Sequence, residues 1–182
     1  MSLKWRDTMS VWFSRVMSAH GWITWKLGPY AAIPLRLFVG FGFMSHGYAK
    51  IVHRPEHFIN ILHAIGVPAP ELMGWATILV ELAGGLAVLV GAFVPLASVP
   101  MAAVLLVAMF TVQLPYGFSS IKLQGVTAAG AQFGPPGYEI NLLYLACLTT
   151  LVLGGSGPFA VDSILAKAWA RRKKEIGAAL VG

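Results

Sequence analysis

The sequence predicts an all-α polytopic membrane protein: a four-transmembrane-helix bundle with an amphipathic interfacial helix at each terminus. Of its 182 residues, 57% are hydrophobic and only 11% are charged, whereas soluble domains carry about 25% charged residues. Four segments stay mostly apolar over about the 20 residues that a helix needs to cross a bilayer. Basic residues gather outside the first and last of these segments, which is typical of the cytoplasmic flanks of membrane proteins.

The four apolar segments give the predicted order of helices. They are residues 30–51, 72–94, 96–114, and a last one from 138 to the GGSGP turn at 154–158. The second and third are separated by almost no polar sequence, which predicts a tight helical hairpin. The two long connections differ: residues 55–66 place apolar side chains on one side of a short surface helix that starts at a proline. The Gly- and Pro-rich connection at 115–137 is predicted to be a lid or binding loop.

Residues 29–161 are predicted to form the bundle. The segments before and after it are both predicted to lie on the membrane surface. Residues 1–28 carry bulky apolar side chains at helical spacing, with charged residues elsewhere on the helix, which is the pattern of an interfacial amphipathic helix. Residues 162–182 contain the basic run RRKK, which is expected to contact anionic lipid. The bulky apolar residues of the segment 1–28 are Trp5, Met9, Trp12, Phe13, Val16 and Met17.

The distribution of lysine and arginine predicts the orientation of the bundle. Arg54 and Lys122 are the basic residues of the two long connections, whereas four basic residues precede the first span and five follow the last. Because basic flanks stay on the cytoplasmic side, both termini are predicted to be cytoplasmic. The protein is therefore expected to be integral to the cell (inner) membrane. The same topology accounts for the positive charge, so no nucleic-acid partner is predicted.

Several ionisable or polar residues interrupt the apolar segments. Such residues are rare in membrane spans and usually face the bundle interior, where they mark functional sites. Depth along the helices places one group of them at the outer half of the bundle, and we expect it to form a catalytic or binding cluster. Its members are His46, Lys50, Glu81, Gln113 and Glu139.

Simpler interpretations of the same residues remain open. Lys50 and Glu139 can extend to the interface and pair there, and His46 can donate to a neighbouring carbonyl. At the inner end, Arg36 and Asp162 are predicted to form a structural ion pair. No metal site is predicted, because Pro55 separates the two histidines at 53 and 57 that have helical spacing.

Three stretches resemble the DoxX family, over about residues 30–165. They are LRLFVGFGFMSHGYAKI (35–51), ELAGGLAVLVGAF (81–93) and PGYEINLLYLACLTTLVLGGSGPFAVDSIL (136–165). The turn after the second helix reads FVPLAS, where relatives often carry a basic residue. The positions that match the family's motifs are Arg36, His46, Gly47, Lys50, Glu81, Glu139 and Asp162.

The resemblance implies a four-helix membrane protein with links to redox chemistry. Some relatives resemble the membrane subunit of thiosulfate:quinone oxidoreductase, and others are linked to a membrane oxidoreductase complex that handles thiol and superoxide stress. A quinone is therefore the expected ligand. His46 and Lys50 are expected to donate to its carbonyls, and Glu81 or Glu139 to relay protons. The residues expected to shape the binding slot are Gly40, Phe43, Gly47, Tyr48 and Gln113.

Electrons for this chemistry are expected to come from other protein subunits. The sequence shows no flavin, haem or iron–sulfur motif, and its single cysteine, Cys147, lies within the fourth apolar segment. Whether the chain is itself an enzyme stays open. The alternative hypothesis is a non-enzymatic accessory or scaffold subunit of a larger membrane complex, in which the polar cluster holds the helices together.

Overall fold

The computed structural model describes residues 15, 17, 18 and 20–179, and these residues are mostly helical. Its helices are, in chain order, α1 (Ala32–Val52), α2 (Pro55–Ala64), α3 (Pro70–Leu79), α4 (Gly85–Val90), α5 (Val94–Ala108), α6 (Glu139–Gly154) and α7 (Val161–Ala179). Two segments are π-helical: Val80–Gly84, which joins α3 to α4, and Met109–Gln113, which continues α5. Short 3-10 turns lie at Gly28–Tyr30 and Leu114–Tyr116. Most of the predicted N-terminal helix, including Trp5, Met9, Trp12, Phe13 and Val16, falls outside the described residues.

Within residues 20–179, three continuous helical stretches are long and apolar enough to cross a membrane: His20–Val52, Pro70–Val90 and Val94–Tyr116. The fourth predicted span appears as α6, a shorter apolar helix of 16 residues. Large apolar side chains cover the outer surface of these helices, among them Phe41, which is 70% exposed, and Leu153, which is 82% exposed. Such continuous apolar surface is not stable in water, and it indicates an integral membrane protein.

Prolines and left-handed residues set the ends of the helices. Pro55 and Pro70 occupy first-turn positions of α2 and α3, where their missing N–H groups have no helical partner to lose. Gly91 ends α4 with a φ of 71°, a conformation that glycine adopts without strain. The chain then re-enters helix at Val94. The predicted tight hairpin between the second and third spans is confirmed.

The core of the bundle lies where α1, α4, α5 and α6 meet. Its buried members are Val39, Phe43, Val88, Val94, Met101, Tyr144, Leu148 and Leu151. We call the end where α1 begins and α6 ends the terminal end, and the opposite one the loop end. Helices α1 and α4 touch through their backbones, because a Cβ on Gly40 would lie 2.7 Å from the carbonyl oxygen of Gly85. Small residues permit such close approach between membrane helices.

The terminal end corrects one prediction: Arg36 and Asp162 do not form an ion pair. The Arg36 guanidinium donates to the carbonyl oxygens of Ser156, at 2.7 Å, and Leu89, at 3.3 Å. The Asp162 carboxylate accepts from the backbone N–H groups of Phe93 and Val94, at 2.9 and 3.4 Å. The cation therefore meets one carbonyl at the end of α4 and one in the turn after α6, and the anion meets N–H groups at the start of α5, as the helix dipoles favour.

The long connection before α6 contains regular structure that the sequence did not predict. Strand β1 (Leu123–Thr127) pairs antiparallel with β2 (Gly130–Phe133). Backbone hydrogen bonds from Gly137 to Ser119 and from Tyr138 to Gly117 then hold the base of the connection. The sequence gives no sign of this hairpin, because strands whose side chains lack a buried face leave no hydrophobic alternation.

Candidate functional site: a polar cavity at the loop end

A cavity of about 260 Å³ lies at the loop end of the bundle, between α1, the first π segment, α5 and α6. It collects five of the site residues predicted from the sequence, Phe43 among them, and it adds residues of α5 and α6. We call it the loop-end cavity. The polar side chains that line it are His46, Lys50, Glu81, Gln113, Asn141 and Tyr144.

An ion pair forms one wall of the loop-end cavity. The ammonium of Lys50, on α1, lies 2.5 Å from both carboxylate oxygens of Glu81. The Lys50 ammonium also lies 4.7 Å from the centre of the Phe58 ring, which α2 places beside it. Glu81 is buried, so the pairing offsets part of the free energy needed to bury a carboxylate. The aromatic ring adds a weaker attraction for the cation.

Both π-helical turns in the described part of the chain lie at this cavity. Glu81 belongs to the π segment Val80–Gly84, and Gln113 ends the π segment Met109–Gln113. A π turn inserts an extra residue into the helix and therefore changes the direction of the side chains that follow. Such turns occur often at functional sites. The periodicity of an all-apolar segment carries no sign of them.

Helix α6 supplies the part of the cavity wall that the sequence-based prediction missed. The side-chain amide of Asn141 donates to the carbonyl oxygen of Leu105, at 3.1 Å, and Asn141 is buried. The Tyr144 ring packs edge-on against Phe43, with their centres 5.6 Å apart. A detectable signal was present: Asn141 and Tyr144 lie three residues apart, hence on one face of an otherwise apolar helix.

Two polar groups of the loop-end cavity remain available to a ligand. The side-chain oxygen Oε1 of Gln113 is buried and has no hydrogen-bond partner among the described residues. A buried polar atom without a partner is costly, and a bound polar molecule would remove that cost. His46 lines the cavity and is also exposed. The cavity therefore opens to the molecular surface beside this histidine.

Four predicted site residues lie elsewhere. Glu139 is not part of the cavity wall; its carboxylate accepts from the backbone N–H of Ser120, at 2.9 Å, and holds the preceding loop. Gly40 and Gly47 face α4 and the first π segment respectively. Tyr48 is 65% exposed on the outer surface of α1. The structure places none of these four beside the cavity.

Comparison with known families gives a match to the family model described as DoxX, over residues 31–114. This segment is therefore similar to DoxX proteins. The match confirms the resemblance for this part of the chain, whereas the block at 136–165 lies beyond it. No curated protein and no solved structure gives a match.

The DoxX segment supplies most of the polar wall of the loop-end cavity, namely His46, Lys50, Glu81 and Gln113. Asn141 and Tyr144 complete the wall from outside the matched range. DoxX proteins are typically membrane proteins, in agreement with the three apolar helices. The chain is therefore an integral membrane protein with a polar cavity enclosed within its apolar helices.

Proposed function

We propose that this chain is the membrane subunit of a quinone-linked oxidoreductase. It binds a quinone head in the loop-end cavity and receives electrons from a partner protein. The observation that carries the proposal is the cavity itself: it joins an ion pair, an unpartnered amide oxygen and an opening beside His46. Ligand sites typically measure about 300–1,000 Å³. At about 260 Å³ the cavity is slightly smaller than that range, so its size suits a small ligand such as a single-ring head group.

The residues present fit a planar molecule with oxygen atoms at opposite ends. Lys50 and His46 offer N–H donors on α1, and the Gln113 side chain offers both an N–H donor and its buried oxygen. Phe43 and Tyr144 supply flat apolar surface between them. The opening beside His46 leaves room for an apolar tail in the surrounding lipid. These features support a ligand that enters from the membrane rather than from water.

Glu81 is the residue that we assign to proton handling. A quinone bound in the cavity would take up two electrons and two protons when it is reduced. The Glu81 carboxylate lies at the cavity wall and pairs with the Lys50 ammonium at 2.5 Å. Glu139 lies nearer to the loop and serves in this proposal as the outer proton acceptor. The partner protein must deliver the electrons, because the chain's own side chains carry no two-electron redox group.

The proposal includes a topology with four spans and both termini in the cytoplasm. Helix α6 rises about 24 Å over its 16 residues, and it packs against α1 and α5, which supports its role as the fourth span. The excess of basic residues outside the first and last spans supports the orientation. The loop-end cavity then lies in the outer half of the bundle, with amphipathic terminal segments on the inner surface.

The test is to purify the chain in mild detergent, extract it with organic solvent and quantify quinone by mass spectrometry. We expect about one quinone per chain. Ala108→Leu adds volume to a residue that lines the cavity, and we expect it to reduce the quinone content to background. Ala103→Leu, on the exposed face of the same helix, is the matched control. Quinone-free protein that is correctly folded, or equal content in both variants, contradicts the proposal.

The second candidate function is an accessory subunit without catalytic activity. The observation that favours it is the satisfied Lys50–Glu81 ion pair, which ties α1 to the second apolar stretch without any ligand. Glu81→Gln distinguishes the two functions. The amide keeps a hydrogen-bond acceptor for Lys50 but cannot carry a proton. If Glu81 handles protons, the variant loses turnover with the partner protein while it remains folded. If Glu81 only holds the helices together, the variant still forms its complex with the partner protein.

A further inference from the structure

A second cavity, of about 450 Å³, lies at the terminal end of the bundle. It is enclosed by the start of α1, the end of α6, the GGSGP turn and the first turns of α7. We call it the terminal-end cavity. Its wall contains no residue of the loop-end cavity, so nothing proposed for that site accounts for it.

Hydrogen bonds from two helices, α1 and α7, hold the GGSGP turn in place. Arg36 donates to the carbonyl oxygen of Ser156, at 2.7 Å, and the Ser163 hydroxyl donates to that of Gly157, at 2.8 Å. Gly157 has a φ of 74°, and a Cβ at this position would lie 2.9 Å from the Cβ of Ala32. The turn therefore rests against the first turn of α1. The wall of the terminal-end cavity is a fixed part of the fold.

Some residues that line the terminal-end cavity carry hydrogen-bond donors. Lys167 of α7, with its ammonium group, is one of them. Gly155 and Gly157 also line the cavity, and within residues 20–179 neither backbone amide donates to another group. None of the described residues that line this cavity carries a carboxylate. A cation beside free backbone N–H groups, without a competing anion, is an arrangement that binds phosphate oxygens.

Much of the lining of the terminal-end cavity is apolar. Pro29, Ala31, Leu35 and Leu151 belong to this part of the lining, at the level where α1 begins and α6 ends. The ends of membrane-spanning helices lie near the polar head groups of the bilayer. A molecule with a phosphate at one end and hydrocarbon at the other therefore matches both kinds of lining residue.

We propose that the terminal-end cavity binds the phosphate group of an anionic phospholipid. Lys167 and the amides of Gly155 and Gly157 hold the phosphate, while Leu35 and Leu151 contact the upper part of an acyl chain. The lipid occupies a defined site between α1, α6 and α7. This differs from the diffuse attraction of a basic segment to a charged membrane.

Native mass spectrometry of the full chain in detergent, titrated with phosphatidylglycerol, tests the proposal. Lys167→Gln removes the cation, and we expect it to raise the dissociation constant about tenfold, the effect of losing one charge-assisted contact. Lys173→Gln is the matched control, because Lys173 lies on the same helix and stacks on Trp169 instead. We expect the control to change the dissociation constant less than about twofold, and Lys167→Arg to retain binding.

Two further probes identify the bound group. Diacylglycerol with the same acyl chains lacks the phosphate and is expected not to bind. Inorganic phosphate tests the free anion: if it binds alone, with the same dependence on Lys167, the cavity takes free phosphate and the lipid assignment is wrong. Equal losses in Lys167→Gln and Lys173→Gln, or no loss in either, would overturn the site. Neither result bears on the quinone content of the other cavity.

Discussion

Burying the charge of Lys50 or of Glu81 in a membrane span costs free energy. Because the two side chains pair, each offsets part of the cost of the other. Lys50 is brought to Glu81 by Gly47, one turn earlier, since a Cβ on Gly47 would lie 3.1 Å from the Cβ of Glu81. The side chains of Lys50 and Glu81 are only 20% and 7% exposed. In such surroundings, one charge without its partner destabilises a protein more than the complete pair stabilises it.

Removing one member of this pair is therefore expected to be worse than removing both. Lys50→Met and Glu81→Leu are each expected to lower the free energy of unfolding by about 3–5 kcal/mol. The double variant should regain most of that loss, because no unpaired charge remains. Thermal unfolding in detergent measures the effect. Strictly additive losses would show that the two residues do not stabilise each other.

Glycine is needed for helix packing only at the positions where two helices touch. Gly40 lies where α1 crosses α4, and a Cβ there would also lie 2.7 Å from the Cβ of Leu89. The neighbouring atoms belong to the backbone or to the base of a side chain, so they have little freedom to move aside. Gly21 is helical as well, but nothing lies within 4 Å of its Cβ position.

Gly40→Ala is expected to lower the free energy of unfolding by about 1–3 kcal/mol, since the added methyl group forces α1 and α4 apart. Gly21→Ala, by contrast, is expected to be neutral or slightly stabilising, because alanine favours helix. The melting temperatures of the two variants, measured in one detergent, give the comparison. A similar decrease in both would indicate that helix packing is not the cause.

At the scale of the whole molecule, the sequence predicted the apolar helices, their order and the residues of one cavity wall. Hydrophobicity alone determines these features in a membrane. It did not predict the two π segments, since an extra residue in an apolar helix leaves the composition unchanged. It also paired Arg36 with Asp162 by depth, whereas each interacts with a helix end whose dipole has the opposite sign. Backbone groups compete for charged side chains, and their positions require the fold.

The proposed orientation predicts which parts of the chain reagents can reach. In a Cys147→Ser background, Ala128→Cys places a thiol in the turn between β1 and β2, and Ala166→Cys places one on α7. Both positions are exposed. In intact cells, a membrane-impermeant maleimide should label position 128, and position 166 only after the membrane is permeabilised. The reverse pattern would show that the termini face outward.

The two π segments are also places where the deletion of a single codon would change the structure. Each has the geometry of one extra residue in a regular helix, and the two segments contain Glu81 and Gln113, which both line the loop-end cavity. Deleting one codon from either segment would restore the ordinary helix and turn everything beyond it by about 100°. A single-codon deletion would thus redirect a polar residue from the interior of the bundle toward lipid. Changes in length at these two places are therefore a direct genetic route to gaining or losing the site.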